Sequence, residues 1–220
     1  ANSRGEEAVY SWDGSNPSGP NVGGEMHVCI TKSPICLDGP VLTVSDRFDH
    51  SPGNFRLLVP GFETNVFLTS VHFPPSTSTK RSRRDAQIKD FTDSYASCSE
   101  FRFQTPFTIK GAKDARTQCP LHLVCGDFNA SKRELVDLTD KGSWKILLDD
   151  FATTSKNAFD NALANRDAKR HFFLDACVMR MTRIFTSTTW GVSDHCPIRI
   201  KITQAHNASV VYEEEAAVDT

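Results

Sequence analysis

The sequence predicts an α/β fold in which mixed sheets are covered by helices. Three observations carry this. Six short apolar segments have the length and composition of strands. Helical patterns lie between several of them, so strands and helices interleave. Two of the strand segments, residues 55–61 and 65–73, are too close in sequence for a crossover and are expected to be antiparallel neighbours.

Taken in order, the strand segments are EMHVCIT (25–31), FRLLVPG (55–61), NVFLTSVHF (65–73), LHLVCGDF (121–128), FFLDACVMR (172–180) and IRIKIT (198–203). Most are bounded by Gly, Pro, Asn or Ser. The third and the last alternate at least in part, which predicts one face on a core and one toward something polar. In residues 84–97, Ile88, Phe91 and Tyr95 form an apolar stripe at helical spacing. Residues 132–138 and 143–151 read as one or two short helices, and residues 153–170 as a polar helix or loop. Residues 99–120 have three phenylalanines but no period and read as a long insertion.

The chain has 220 residues, which suits one large domain. Its 39% hydrophobic and 24% charged residues are ordinary for a globular protein. No apolar run is long enough to cross a membrane. A net charge of −2 argues against a protein that holds nucleic acid by phosphate neutralisation alone, but not against an enzyme gripping one or two phosphates. The seven cysteines are odd in number and contain no CxxC pair. Cys29, Cys125 and Cys177 fall inside strand-like runs, so the reading is buried free thiols in a reducing, intracellular compartment.

The chemistry-bearing residues gather at strand ends. LHLVCGDFN stops an apolar run at Gly126 and then presents Asp127 and Asn129 two residues apart, on one side if the extended chain continues. Alone, Asp-Phe-Asn is often just a turn after a strand. WGVSDHCPIRIKI places Asp194 beside His195 shortly before a strand. Adjacent residues point in different directions, so His195 needs another carboxylate to fix its tautomer. Asp175 is an acid inside an otherwise apolar strand, where burial is costly unless the charge is paired. His72 ends the strand of TSVHFPPS, and KRSRR (80–84) follows as a basic loop beside it.

Together these segments resemble the endonuclease/exonuclease/phosphatase, or DNase I-like, superfamily. CGDFN is similar to its Gly-Asp-x-Asn motif and SDHCP to its Ser-Asp-His-x-Pro motif. FLDACV resembles the Asp-bearing strand between them, TSVHFPPS the strand ending on His, and NVGGEMHVCITK the glycine pair that opens an early strand. The resemblance covers residues 20–203, preceded by an N-terminal extension or the remnant of a missing segment (1–19) and followed by an acidic tail (204–220) that is expected to be mobile.

The resemblance implies a four-layer α/β/β/α sandwich of two mixed sheets and a metal-dependent phosphodiesterase using Mg²⁺ or Mn²⁺. It implies that Asp127 orients or deprotonates the attacking water and that Asn129 holds a phosphate oxygen. Asp175 would fix the ring of His195, and His195 would act as base or transition-state stabiliser. Asp194, with Asp127, would bind metal, and His72 would face the phosphate from the other side. Lys80, Arg81, Arg83 and Arg84 would contact a nucleic-acid backbone. A nuclease acting on RNA or DNA is the leading expectation, with no membrane partner. The family's opening strand–helix–strand segment, which carries its metal-binding Glu, is not found in the sequence. A catalytically degenerate subunit of a larger, ribonucleoprotein-like assembly is therefore one alternative. A phosphatase or sphingomyelinase-type enzyme is the other.

Overall fold

The computed structural model describes residues 10–14, 27–41, 48–50, 52–62, 64, 66–75, 77, 79–96, 121–139, 143–149, 159–166, 172–179 and 197–204, with the backbone alone for 10–14, 38–41 and 94–96. Ten strands and two helices follow one another within these residues. They are β1 (Tyr10–Gly14), β2 (Val28–Lys32), β3 (Cys36–Val41), β4 (Gly53–Leu58), β5 (Val66–His72), α1 (Arg81–Ala96), β6 (Leu121–Asp127), α2 (Lys132–Leu138), β7 (Trp144–Ile146), β8 (Asp160–Asn165), β9 (Phe172–Val178) and β10 (Ile198–Gln204).

A six-stranded sheet in the order β3-β4-β5-β6-β8-β7 forms the centre. It is mixed: β5 and β6 are parallel, and every other pair is antiparallel, including β4 with β5 as expected. The parallel pair needs a crossover, and α1 lies within that connection. Pro40 sits in β3, beside a register shift, at the sheet edge where its missing N–H breaks no ladder. Two further pairs, β1-β2 and β9-β10, are each antiparallel.

The two faces of the central sheet have different covers. One face packs Val71, Val124 and Leu163 against Ile88 and Phe91 of α1 and Leu135 of α2. The other packs Val66, Leu121, Leu123 and Ala164 against Phe172, Leu174, Ile200 and Ile202 of the β9-β10 pair. Helices, a large mixed sheet and a second sheet thus form three consecutive layers of the expected sandwich. Both described helices lie on the same face, and no outer helix on the second sheet is among the described residues.

All six predicted strands are present, and the predicted helix over 132–138 matches α2. Two expectations are corrected. Residues 144–146 form an edge strand rather than a helix. Trp144 is buried against the His122 ring, with centroids 5.4 Å apart, and its indole N–H donates to the Thr92 carbonyl at 3.0 Å. Residues 160–165 form the fully buried strand β8. Its sequence DNALAN lacks β-forming residues, so its state is set by its neighbours. Asn161 accepts from the Leu148 and Ala162 N–H groups at 3.3 and 2.8 Å, and Asn165 accepts from the His122 N–H at 2.8 Å. The expected insertion, residues 99–120, lies outside the described residues up to 120. So does most of the tail, from 205 on.

Candidate active site at the strand ends

Three neighbouring strands end in one row of polar residues. His72 of β5 is the register partner of Asp127 of β6, and Asp127 is the partner of Asp160 of β8. By strand alternation, His72 shares its face with Val66 and Leu68, and Asp127 with Leu121 and Leu123. That is the face covered by the second sheet, so the row lies at the rim of the inter-sheet layer. His72 Nε2 is 3.8 Å from Asp127 Oδ2, with side-chain exposures of 34% and 17%. This is an ion-pair distance for a protonated ring and is too long for a direct hydrogen bond.

The next residues point to the opposite face and anchor the row. Phe73 and Phe128 are buried in the helix-side core with ring centroids 5.6 Å apart. The Phe73 N–H donates to the Asp127 carbonyl at 2.9 Å, and the Phe128 N–H to the Phe159 carbonyl at 3.0 Å. The aromatic between Asp127 and Asn129 is therefore a bolt that fixes where the acid stands. Gly126 has a local reason too. Its φ is +145°, and an added Cβ would lie 2.0 Å from the Val71 carbonyl oxygen. No side chain fits there without parting β5 from β6.

Asn129 takes the left-handed conformation, φ +47°, which asparagine tolerates better than most residues. Its backbone N–H donates to Asp127 Oδ1 at 2.7 Å. Its side-chain amide donates to Asp127 Oδ2 at 3.1 Å and to the Phe73 carbonyl at 2.8 Å. Both amide protons are thus directed inward, onto the carboxylate and the end of β5, rather than onto an external phosphate.

Beneath this loop lies Arg84, fully buried. Its guanidinium donates to the Asn129 carbonyl, to Asp85 at 2.6 and 2.8 Å, and to Glu134 at 3.0 Å. Glu134 closes a capping box at the start of α2, accepting from the Ser131 N–H at 2.9 Å. Burial acts to raise the Glu134 pKa. The hydrogen bonds from Ser131 and Arg84 and the Arg84 charge outweigh it and hold the carboxyl below its ordinary value.

This corrects the expectation for Arg84. It is no nucleic-acid contact, because its donors are spent inside the protein. The basic run also forms not a loop but the start of α1, and Arg84 continues the buried stripe of Ile88 and Phe91 one turn earlier. Lys80, Arg81 and Arg83 are exposed; Arg81 pairs with Glu134 at 3.0 Å and Arg83 pairs with Asp49.

Asp175 is also corrected in one respect. It is exposed, in register with Lys201 of β10, so no buried charge demands a partner. Asp194 and His195 lie outside the described residues, shortly before Pro197 and β10. Two residues of the rim escaped the sequence reading. Asp160 was hidden in a segment without strand character. His50 stacks on His72, with centroids 4.7 Å apart and planes 8° from parallel.

Two other titratable groups on β6 are structural. Burial pushes the His122 pKa down to about 3, so it is a neutral core imidazole, sharing a 2.8 Å hydrogen bond with Thr69. Burial pushes the Cys125 thiol up to about 12, which keeps it protonated and unreactive where it packs, partly buried, against the second core cluster.

Among the described residues, no group of three or more His, Cys, Asp or Glu side chains is placed to hold a metal ion. Asp127 offers the hard oxygen ligand that Mg²⁺ or Mn²⁺ prefers, but both of its oxygens accept from Asn129. The described residues alone do not supply a cation site. No described helix is long and apolar enough to cross a membrane.

No family model and no curated protein matches the sequence. Solved structures do match. A humanized zebrafish (D. rerio) TDP2 is 14% identical, with a TM-score of 0.55 over 89% of this chain and 75% of that one. The human Nocturnin catalytic domain with bound sulfate is 16% identical, with a TM-score of 0.54 over 87% and 73%. An endonuclease/exonuclease/phosphatase family protein from Bacteroides thetaiotaomicron is 12% identical, with a TM-score of 0.53 over 88% and 75%. At these identities the likeness shows the fold, and the fold is the one that the sequence motifs predict.

Proposed function

We propose that this chain, which has the DNase I-like fold of the endonuclease/exonuclease/phosphatase superfamily, hydrolyses phosphodiester bonds of RNA or DNA. The observation that carries the reading is the His72–Asp127 row at the rim of the inter-sheet layer. An immobilised carboxylate and an imidazole 3.8 Å away can each reach a water or a phosphate oxygen that lies over the row.

In the proposed reaction, Asp127 takes a proton from water as its oxygen attacks phosphorus. The phosphorus–oxygen ester bond breaks, and His72 protonates the leaving alkoxide. Asn129 is a positioning residue in this scheme: it holds both oxygens of Asp127 and ties them to the end of β5. His195 would stabilise the transition state, with Asp175 and Asp194 as its neighbours in the family pattern. Mg²⁺ or Mn²⁺ is the cofactor that the motifs imply, and Asp194 would complete Asp127 as ligand.

Nucleic acid is preferred as substrate because Lys80, Arg81 and Arg83 are exposed, with Arg81 paired to Glu134 after the site loop and Arg83 to Asp49 beside His50. The test is cleavage of labelled single-stranded RNA, single-stranded DNA, duplex DNA and a sugar phosphate, with Mg²⁺, Mn²⁺ or EDTA. It is run beside Asp127→Ala and His195→Ala. Metal-dependent cleavage of an oligonucleotide, lost in both variants, is the expected result. Turnover of the sugar phosphate alone would replace the nuclease by a phosphatase. No turnover and no metal-induced thermal shift would leave a non-catalytic subunit.

A further inference from the structure

His72 ends its strand on a half-exposed ring, and a histidine's second side-chain torsion is a broad, weakly restrained rotation. A flat neighbour against the ring restrains that rotation and so helps to present Nε2 toward Asp127. The ring of His50 stacks on that of His72, nearly parallel at 4.7 Å. His50 is in turn held by its two predecessors. The Phe48 ring meets Phe73 and Phe91 edge-on, at 6.4 and 6.1 Å between centroids. Asp49 pairs with the Arg83 guanidinium, and its N–H reaches Gln87 Oε1 at 3.5 Å. Three consecutive residues therefore make three different attachments: one into the helix-side core, one to α1, and one onto the candidate catalytic ring.

We infer that His50 is a positioning residue that sets the ring plane of His72, and that Phe48 and Asp49 clamp it to α1. The inference rests on the proposed hydrolase reading for its catalytic consequence, but not for its geometry. Arg83 belongs to the same clamp, because its pair with Asp49 joins the basic start of α1 to the site rim.

The experiment compares His50→Ala, which removes the flat neighbour, with His50→Phe, which keeps one. The first readout is the NMR signal of the His72 ring protons, assigned by their loss in His72→Gln. In the wild type they are displaced by the ring current of the stacked neighbour. The displacement is expected to vanish in His50→Ala and to persist in His50→Phe. The second readout is turnover of the substrate found above. His50→Ala is expected to lower kcat about tenfold at unchanged KM, and His50→Phe to restore it to within about threefold. Equal ring shifts in all three proteins, or a His50→Phe enzyme as slow as His50→Ala, would overturn the inference. If the wild type turns over no phosphoester, the hydrolase reading fails, and the ring shifts still decide whether His50 holds His72.

Discussion

Asn129 holds both carboxylate oxygens of Asp127, one through its backbone N–H at 2.7 Å and the other through its side-chain amide at 3.1 Å. One residue so close in sequence can do this because its left-handed backbone turns the chain back on itself. The acid is thereby given one orientation, and the same amide locks it to Phe73 at the end of the His72 strand.

Replacement of Asn129 separates backbone from amide. Asn129→Gly keeps the left-handed turn and loses the side-chain bonds, whereas Asn129→Ala loses both. Turnover is expected to fall by up to about 100-fold in each, as for other small displacements of a reacting group. Asn129→Ala is expected to be less stable than Asn129→Gly by about 1 kcal/mol, measured by urea unfolding. Equal stability of the two would mean that the turn carries no strain for alanine.

Gly126 and Gly61 make a controlled pair. Both have positive φ, but a Cβ at Gly61 meets nothing within 4 Å while one at Gly126 strikes the Val71 carbonyl. Gly61→Ala is expected to cost about 1 kcal/mol. Gly126→Ala is expected to cost more than about 3 kcal/mol or to abolish soluble expression, because β5 and β6 must part.

Arg84 and its exposed neighbours should respond to different measurements. Arg84→Met is expected to destabilise by about 1–3 kcal/mol, since it leaves the buried Asn129 carbonyl without its donor while Glu134 keeps Arg81 and Ser131. Lys80→Ala and Arg81→Ala are each expected to change stability by under about 0.5 kcal/mol. Instead they should weaken oligonucleotide binding and flatten its salt dependence by about one unit of slope each. An unchanged salt slope would remove these side chains from the substrate path.

His122 predicts a pH dependence of folding. Its folded-state pKa, about 3, lies below the ordinary 6.5, so the unfolded chain binds more protons between those values. Stability is fully present above about pH 6.5 and declines as pH falls toward 3, by at most about 1.4 kcal/mol per pH unit. Glu134, also held below its ordinary value, adds a loss that begins only near pH 4.5. Urea midpoints measured at pH 7, 5.5 and 4 should fall less steeply for His122→Gln than for the wild type. Parallel curves would show that another group controls acid unfolding.

Much of the fold was legible because strongly apolar, β-branched segments declare themselves: β2, β4, β5, β6, β9 and β10 were read from local pattern. β8 was not, because its small and polar residues are strand only through the neighbours that pair with them on both sides. β7 was misread as helix because a run such as WKILL satisfies either period, and only the pocket for Trp144 decides between them.

The candidate site divides along the same line. The sequence by itself determined the kinds of residue at the ends of β5 and β6 and the glycine that lets those strands close up, since these are local requirements of turn, spacing and charge. Tertiary structure alone decided that His72 and Asp127 stand in register, that Asp160 and His50 join them, and that Arg84 faces inward while Asp175 faces out. Pairing between distant strands and the burial of one helix face depend on where remote segments meet, and no local pattern of residues encodes that meeting.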